Sequence, residues 1–235
     1  MTGVKPARFP LSQGLNLSAI TGPFISDPAV YRQLVGRLLY LTLTRLDISY
    51  AVQHLSQFLQ QPTEPHYQPA LHVLKYLKGT ASKGFYYPAD CDFCLTAYTD
   101  ADWGTCRQSA RSLTGYCIFL GSSLVSWKTK TQKTVAKSST EAEYRAMSAN
   151  TSELEWLHSL LHDFHIPSPL PITMYCDNKA AMHIAANPVF HERTKHLRID
   201  CHYTIDKLLE GFLQTSYVPS KEQLADLMTK PLGEL

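Results

Sequence analysis

The chain has 235 residues, 44% of them apolar and 11% aromatic, which is ample for a packed core and excludes global disorder. At about 100 to 200 residues per domain, that length holds one full domain and a smaller attachment. No stretch approaches the roughly 20 uncharged apolar residues of a membrane-spanning helix, Met1 to Leu17 contain no signal-peptide apolar segment, and a net charge of +2 is too mild to make the whole surface a nucleic-acid footprint. We therefore expect an intracellular chain with no membrane partner, on which any basic surface is local.

Residues 1–24 contain Gly, Pro and Ser without sustained periodicity and read as an extended leader, the end of something larger. Residues 25–90 read as a helical segment. Asp27-Pro28 supplies an N-cap with proline at the first helical position, followed by Tyr31, Leu34, Val35, Leu38 and Leu39 at helical spacing. A second helix is predicted from Asp47, with Ile48, Ala51, Val52, Leu55 and Phe58 on one stripe before Pro62. A third runs from Glu64 to Gly79 carrying Leu71, Leu74, Tyr76 and Leu77. Three such short helices enclose little core and are expected to pack on a neighbour.

From residue 91 onward the pattern predicts one α/β domain, 91–235. Of the six cysteines (Cys91, Cys94, Cys106, Cys117, Cys176, Cys201), only Cys91 and Cys94 have a ligand-like spacing. One pair lacks the four ligands of a structural zinc site, so free thiols are expected. Apolar alternation predicts strands at Phe93 to Asp100, Gly115 to Leu120 and Leu124 to Lys130, with a hairpin turn at Gly121-Ser122-Ser123. A long helix follows from Ser139 to Phe164, then a strand at Ile172 to Cys176. Helices are predicted at Lys179 to Ala186 and Lys195 to Leu209, a last strand at Gly211 to Val218, and a terminal helix at Lys221 to Lys230. The order βββαβααβα predicts a mixed five-stranded sheet flanked by helices.

Four acids stand out. Tyr98-Thr99-Asp100 ends the first predicted strand and Tyr175-Cys176-Asp177 ends the fourth. If those strands are parallel neighbours, both carboxylates emerge at carboxyl ends, where open α/β sheets place their sites; taken singly, either Asp is an ordinary turn residue. Counting along the long helix from Glu143 meets Met147, Asn150, Leu154, Leu157 and Leu161, a stripe that faces a sheet. Counting from Glu141 meets Arg145, Ser148, Ser152 and Glu155, a solvated stripe, and Ser138-x-x-Glu141 fits a capping box. A carboxylate on the inward stripe is costly without a cation or donor; the alternative is that its first-turn position meets solvent or the helix dipole. Asp226 lies just inside the terminal helix that Ser220-x-x-Gln223 would cap. Four acids from four elements match the oxygen-donor needs of a two-metal phosphodiesterase.

Tyr98-Thr99-Asp100-Ala101-Asp102-Trp103, Ser138-Ser139-Thr140-Glu141-Ala142-Glu143-Tyr144, Tyr175-Cys176-Asp177-Asn178 and Ala225-Asp226-Leu227-Met228-Thr229-Lys230-Pro231 resemble, in order and spacing, the Pol polyprotein of Copia-type LTR retrotransposons. Upstream, Tyr31 to Gly36, Leu39-Tyr40-Leu41 and Thr44-Arg45-Leu46-Asp47-Ile48 resemble the segment joining reverse transcriptase to ribonuclease H, with Leu46 where that family usually has Pro. The resemblance implies a ribonuclease H fold after a thumb-like connection segment, with Asp100, Glu143, Asp177 and Asp226 as catalytic and metal-binding acids. It implies two Mg²⁺ ions, replaceable by Mn²⁺, with Asp100 bridging them, Glu143 and Asp177 on one side and Asp226 on the other. Strand parity cannot separate Asp100 from Asp102; the family motif favours Asp100 and leaves Asp102 auxiliary. The family's loop His before the last Asp is missing from Val218 to Gln223, so His196 or His202 substitutes or turnover is slower.

The same resemblance implies cleavage of the RNA strand of an RNA/DNA hybrid, partnership with the reverse transcriptase portion of the polyprotein, and a cytoplasmic setting that includes virus-like particles. The chain has no Asp-Asp dipeptide, so no polymerase activity is expected. Trp127, Lys128, Lys130, Lys133 and Lys137 form a basic segment leading to the glutamate helix. There the lysines would contact phosphates while Ser138, Ser139 and Thr140 reach 2′-hydroxyls, with Asn178 beside the acids; protection of a solvated edge strand explains the same lysines. His191, Arg193, Lys195, His196 and Arg198 make a second basic cluster, and zinc bound by His191, His196 and His202 has no motif behind it. Two other readings stand beside the nuclease: an inactive retroelement remnant that binds hybrid, and a helical scaffold.

Overall fold

The computed structural model describes residues 3–12, 14–15, 17, 22–106, 109–186 and 198–233, with backbone alone at 186 and 198–201. It divides into two compact units, Met1–Phe85 with Lys230–Leu235, and Tyr86–Thr229.

In the first unit, Asp27 accepts the Ala29 N–H at 2.9 Å and opens helix α1 (Pro28–Leu41). A 3₁₀ turn (Leu46–Ile48) leads into α2 (Ser49–Ser56), and α3 spans Glu64–Gly79. Tyr31, Val35, Leu38, Ile48, Ala51, Val52 and Leu55 form the core, as their spacing predicts. In α3 the deeply buried residues are His66, Pro69, Ala70, Val73 and Tyr76; Tyr76 is as expected, whereas Leu71, Leu74 and Leu77 are half-buried. The other face of α3 receives the leader. Ala7 N–H donates to Lys75 O, Lys78 Nζ to Val4 O, and His72 bonds Phe9 O. Asp47 does not cap α2. Arg45 grips it twice, at 2.9 and 2.7 Å, Tyr76 donates to it at 2.6 Å, and Arg45 also reaches Thr80 O at 2.9 Å.

The second unit is a five-stranded sheet in the order β3-β2-β1-β4-β5, built from β1 (Leu95–Asp102), β2 (Leu113–Leu120), β3 (Ser123–Thr131), β4 (Ile172–Cys176) and β5 (Leu213–Tyr217). β1, β2 and β3 pair antiparallel, with Gly121 at φ +56° in the β2–β3 turn, a conformation that favours glycine. β4 and β5 add parallel to β1. Long helix α4 (Ser139–Asp163) covers one face, joined by α5 (Lys179–Ala186) and α6 (Arg198–Leu209). The core lies between them, with Met147, Leu154 and Leu161 of α4 against Ala97, Ile118, Ile172 and Met174. Glu155 of α4 pairs with Lys207 of α6 at 2.7 Å. The predicted mixed sheet flanked by helices, preceded by a helical part, is the fold observed.

One element differs. In place of a helix from 221 to 230 there is a 3₁₀ turn (Ser220–Glu222) and a four-residue helix, α7 (Asp226–Thr229). Gln223 has extended backbone, at φ −74° and ψ 102°, and in that conformation its Nε2 donates to Thr99 O at 3.0 Å and its Oε1 accepts from Ala225 N–H at 3.2 Å.

Candidate active site

The parallel register sets Tyr98 of β1 beside Tyr175 of β4, and their rings stack at 4.8 Å with planes 22° apart. Side chains two residues apart on a strand share a face, so Asp100 and Asp177 follow from this pair on the same side. Asp177 stands one residue beyond the end of β4. Asp100 is inside β1 rather than at its end, because pairing with β2 continues to Asp102 opposite Leu113. Asp100 is 3% exposed and Asp177 half-buried; Ser220 Oγ donates to Asp177 Oδ2 at 2.7 Å.

Glu143 lies in the first turns of α4, whose stripe of Met147, Asn150 and Leu154 is fully buried. Ala101, Ala136, Ala142 and Ala146 form a small-residue contact that lets α4 approach the end of β1 closely. Glu143 is 5% exposed, accepts the Ala101 N–H, and shares a hydrogen bond with Asp100. Burial, then the charges of Asp100 and Asp177, push its carboxyl up to about 9, against the bond from Ala101. Its Oε2 has no hydrogen-bond partner among the described residues. Glu141 serves the helix start, as expected, but is not solvated: it is 4% exposed, its Oε2 accepts from Lys137 N–H at 2.8 Å, and Arg145 pairs with its Oε1 at 2.7 Å. Ser138 Oγ accepts from the Glu141 N–H, completing the cap.

Asp226 is half-buried at the start of α7, one turn before Thr229, whose hydroxyl donates to Asp100 Oδ2. Residues three apart on a helix are neighbours, about 5 to 6 Å between Cβ atoms, so this bond ties the turn carrying Asp226 to the acid cluster. The turn can lie on the sheet because Gly115, the β2 partner of Asp100, has no side chain. A Cβ there would stand 2.5 Å from Thr229 Cγ2 and 2.6 Å from Met228 Cβ.

Sequence reasoning gave Thr229 and Cys176 no part in the site, and Ser220 and Gln223 only a helix-capping one. Thr229 lay in a quoted motif but carries no charge, and Cys176 was grouped with the free thiols. Donor atoms of Glu143, Cys176 and Asp177 lie within 4.8 Å of one another. Burial, followed by the charge of Glu143, pushes the Cys176 thiol up to about 12. Crowded carboxylates and an orphaned buried oxygen are compensated by a cation, so these residues fit a divalent metal ion.

The expected nucleic-acid contacts divide. Lys128 and Lys130 are exposed and, with Lys133 and Arg145, line a cavity of about 380 Å³ between β3 and α4. Trp127 alternates to the opposite face of β3 from these lysines. Ser138 and Ser139 are exposed and Thr140 half-buried at the start of α4. Asn178 Oδ1 accepts from Ala181 N–H at 3.0 Å and so caps α5. Asp102 is half-buried at the end of β1, and His202 is exposed on α6. His191, Arg193, Lys195 and His196 lie outside the described residues. Cys91, Cys94, Cys117 and Cys176 are free thiols.

Strand order and directions, with Asp100 of β1, Asp177 after β4 and Glu143 of α4 gathered where these elements meet, define an α/β protein of ribonuclease H-like topology. The chain is 44% identical over 233 residues to the retrovirus-related Pol polyprotein from transposon RE1 of Arabidopsis thaliana, covering 99% of this chain and 16% of that protein. It is 41% identical over 235 residues to the corresponding RE2 polyprotein of the same plant, covering 100% and 16%. The chain belongs to the family of Copia-type retrovirus-related Pol polyproteins. It spans about a sixth of the length of these two polyproteins. No family model matches it. Among solved structures it is similar to the N-terminal RNase H domain of Rv2228c from Mycobacterium tuberculosis, solved as a fusion with maltose-binding protein. That likeness has 12% identity and a TM-score of 0.44, over 59% of this chain and 91% of that one. No helix among the described residues is long and apolar enough to cross a membrane.

Proposed function

We propose that the chain is a ribonuclease H that hydrolyses the RNA strand of RNA/DNA hybrids, with Asp100, Glu143, Asp177 and Asp226 as its catalytic acids and Mg²⁺ or Mn²⁺ as cofactor. The observation that carries this reading is Glu143: a buried carboxylate with an unpartnered oxygen, hydrogen-bonded to Asp100 and close to Asp177. Nothing in a packing role calls for three acids there. The four carboxylates would hold two divalent ions, which when bound supply an activated water and neutralise charge on the leaving 3′ oxygen.

The chain's own residues do the positioning. Thr229 orients Asp100, Ser220 orients Asp177, and the Tyr98–Tyr175 stack sets the spacing of the two strand ends. Lys128 and Lys130 attract the hybrid backbone, while Ser138, Ser139 and Thr140 offer hydroxyls to the RNA minor groove. In this reading the chain works beside the reverse transcriptase portion of the same polyprotein, in the cytoplasm.

The test is cleavage of an end-labelled RNA/DNA hybrid in Mg²⁺, with Asp177→Asn as control. Products bearing 5′-phosphate and 3′-hydroxyl ends are expected. Cleavage no greater than that of the control overturns the proposal, and hybrid binding in Ca²⁺ without turnover in Mg²⁺ or Mn²⁺ would instead mark a non-catalytic binder.

A further inference from the structure

We propose that Cys176 is a sulfur ligand of the acid site, so that Glu143, Cys176 and Asp177 together take a thiophilic divalent cation of the Zn²⁺, Co²⁺ and Cd²⁺ class. This rests on the ribonuclease reading for Glu143 and Asp177 as metal ligands, and adds the selectivity of their site.

Alternation along β4 puts Cys176 on the buried face with Ile172 and Met174, towards α4, the helix that carries Glu143. Asp177 follows immediately at the strand end. The three donor atoms lie within 4.8 Å of one another. A tetrahedral zinc ion with about 2.3 Å to sulfur and 2.1 Å to oxygen has its donors about 3.5 Å apart, so rotamer adjustments of about 1 Å close the site. Glu143 Oε2, in a side chain 95% removed from solvent, has no other partner among the described residues. Asn178 N–H donates to Cys176 Sγ at 3.4 Å, a bond that favours electron density on the sulfur.

Cation class follows from donor type. Mg²⁺ takes oxygen and ignores sulfur, whereas thiolate selects the softer ions. When such an ion binds, the S–H bond breaks, its proton passes to solvent and the sulfur lone pair forms the metal bond. Thiophilic ions then occupy the acid site in a geometry that hard ions do not share.

The experiment titrates Co²⁺ into the full chain carrying Cys91→Ser and Cys94→Ser, which removes the other ligand-like pair. A sulfur-to-cobalt charge-transfer band is expected, lost in the further variants Cys176→Ser and Cys176→Ala. Should those variants fail to fold, X-ray absorption at the cobalt edge of the parent protein decides, a Co–S shell at about 2.3 Å being expected. No band and no sulfur shell, or a band that persists without Cys176, overturns the proposal. Hybrid cleavage in Mg²⁺ by the same parent protein separates the two ideas: cleavage without the band removes the sulfur ligand alone, and the band without cleavage removes the ribonuclease alone.

Discussion

Tyr98 and Tyr175 are register partners on adjacent parallel strands, and their stacked rings stand two residues before Asp100 and Asp177. Each Tyr-x-Asp run is therefore one half of a device that aligns two strand ends. A double-mutant cycle of Tyr98→Leu and Tyr175→Leu should give a coupling of about 0.5 to 1.5 kcal/mol in denaturant unfolding. Tyr175→Leu should also lower hybrid cleavage, because Asp177 loses its anchor. Independent, additive effects would show that the stack does not set the register.

Replacing a strand glycine by alanine usually stabilises, by about 0.4 to 1 kcal/mol, through the unfolded chain. Gly115→Ala should do the reverse, at a cost of about 1 to 3 kcal/mol, since its Cβ would collide with Thr229 and Met228. Thermal unfolding gives the sign, and faster amide exchange in 226–229 should accompany it. A neutral Gly115→Ala would mean that α7 does not rest on β2.

The Glu143 carboxyl, held near 9 against 4.5 when free, makes stability depend on pH in chelator. Between those values the folded chain holds a proton that the unfolded chain has released, so stability falls as pH rises through the window. Thermal melts at its two ends should show the fall, and Glu143→Gln should flatten it. Added Mg²⁺ should stabilise the wild type most at the alkaline end. Equal slopes for wild type and variant would remove Glu143 as the cause.

Lys128 and Lys130 line the groove between β3 and α4. If they meet phosphates, Lys128→Ala and Lys130→Ala should each weaken hybrid binding and reduce the slope of log affinity against log salt by about one. An unchanged slope would assign these lysines to guarding the β3 edge.

In the N-terminal unit, Arg45 is 7% exposed and Asp47 is its counter-charge. Asp47→Asn should destabilise by about 3 kcal/mol, since it leaves a buried guanidinium uncompensated. Burial alone would raise the Asp47 carboxyl, but the bonds from Arg45 and Tyr76 outweigh it and hold it below 3.8. The contribution of the pair is thus complete above that value and is lost as pH falls through the depressed one. Wild type and Asp47→Asn should converge in stability under acid titration.

Local periodicity was enough to read α1, α3, α4, α5 and β4 within a residue or so, because their apolar spacing and caps lie within single turns or strands. It also chose Glu143 over Glu141 as the inward carboxylate, since the face of a helix is a local property. Motif order singled out the four acids proposed as catalytic, and it identified the family. What depended on folding was every relationship between distant segments. Glu141 turned out buried because Lys137 and Arg145 satisfy it where α4 packs, whereas the parting of Trp127 from Lys128 and Lys130 is local alternation along β3. The predicted terminal helix breaks at Gln223, whose side chain bonds to Thr99, 124 residues away. Thr229 on Asp100, Ser220 on Asp177 and Cys176 beside Glu143 have no local signature. Each is a neutral side chain whose partner becomes a neighbour only when β4 and the C-terminal turn close onto β1, and the energy of such contacts belongs to the assembled sheet rather than to any one stretch of chain.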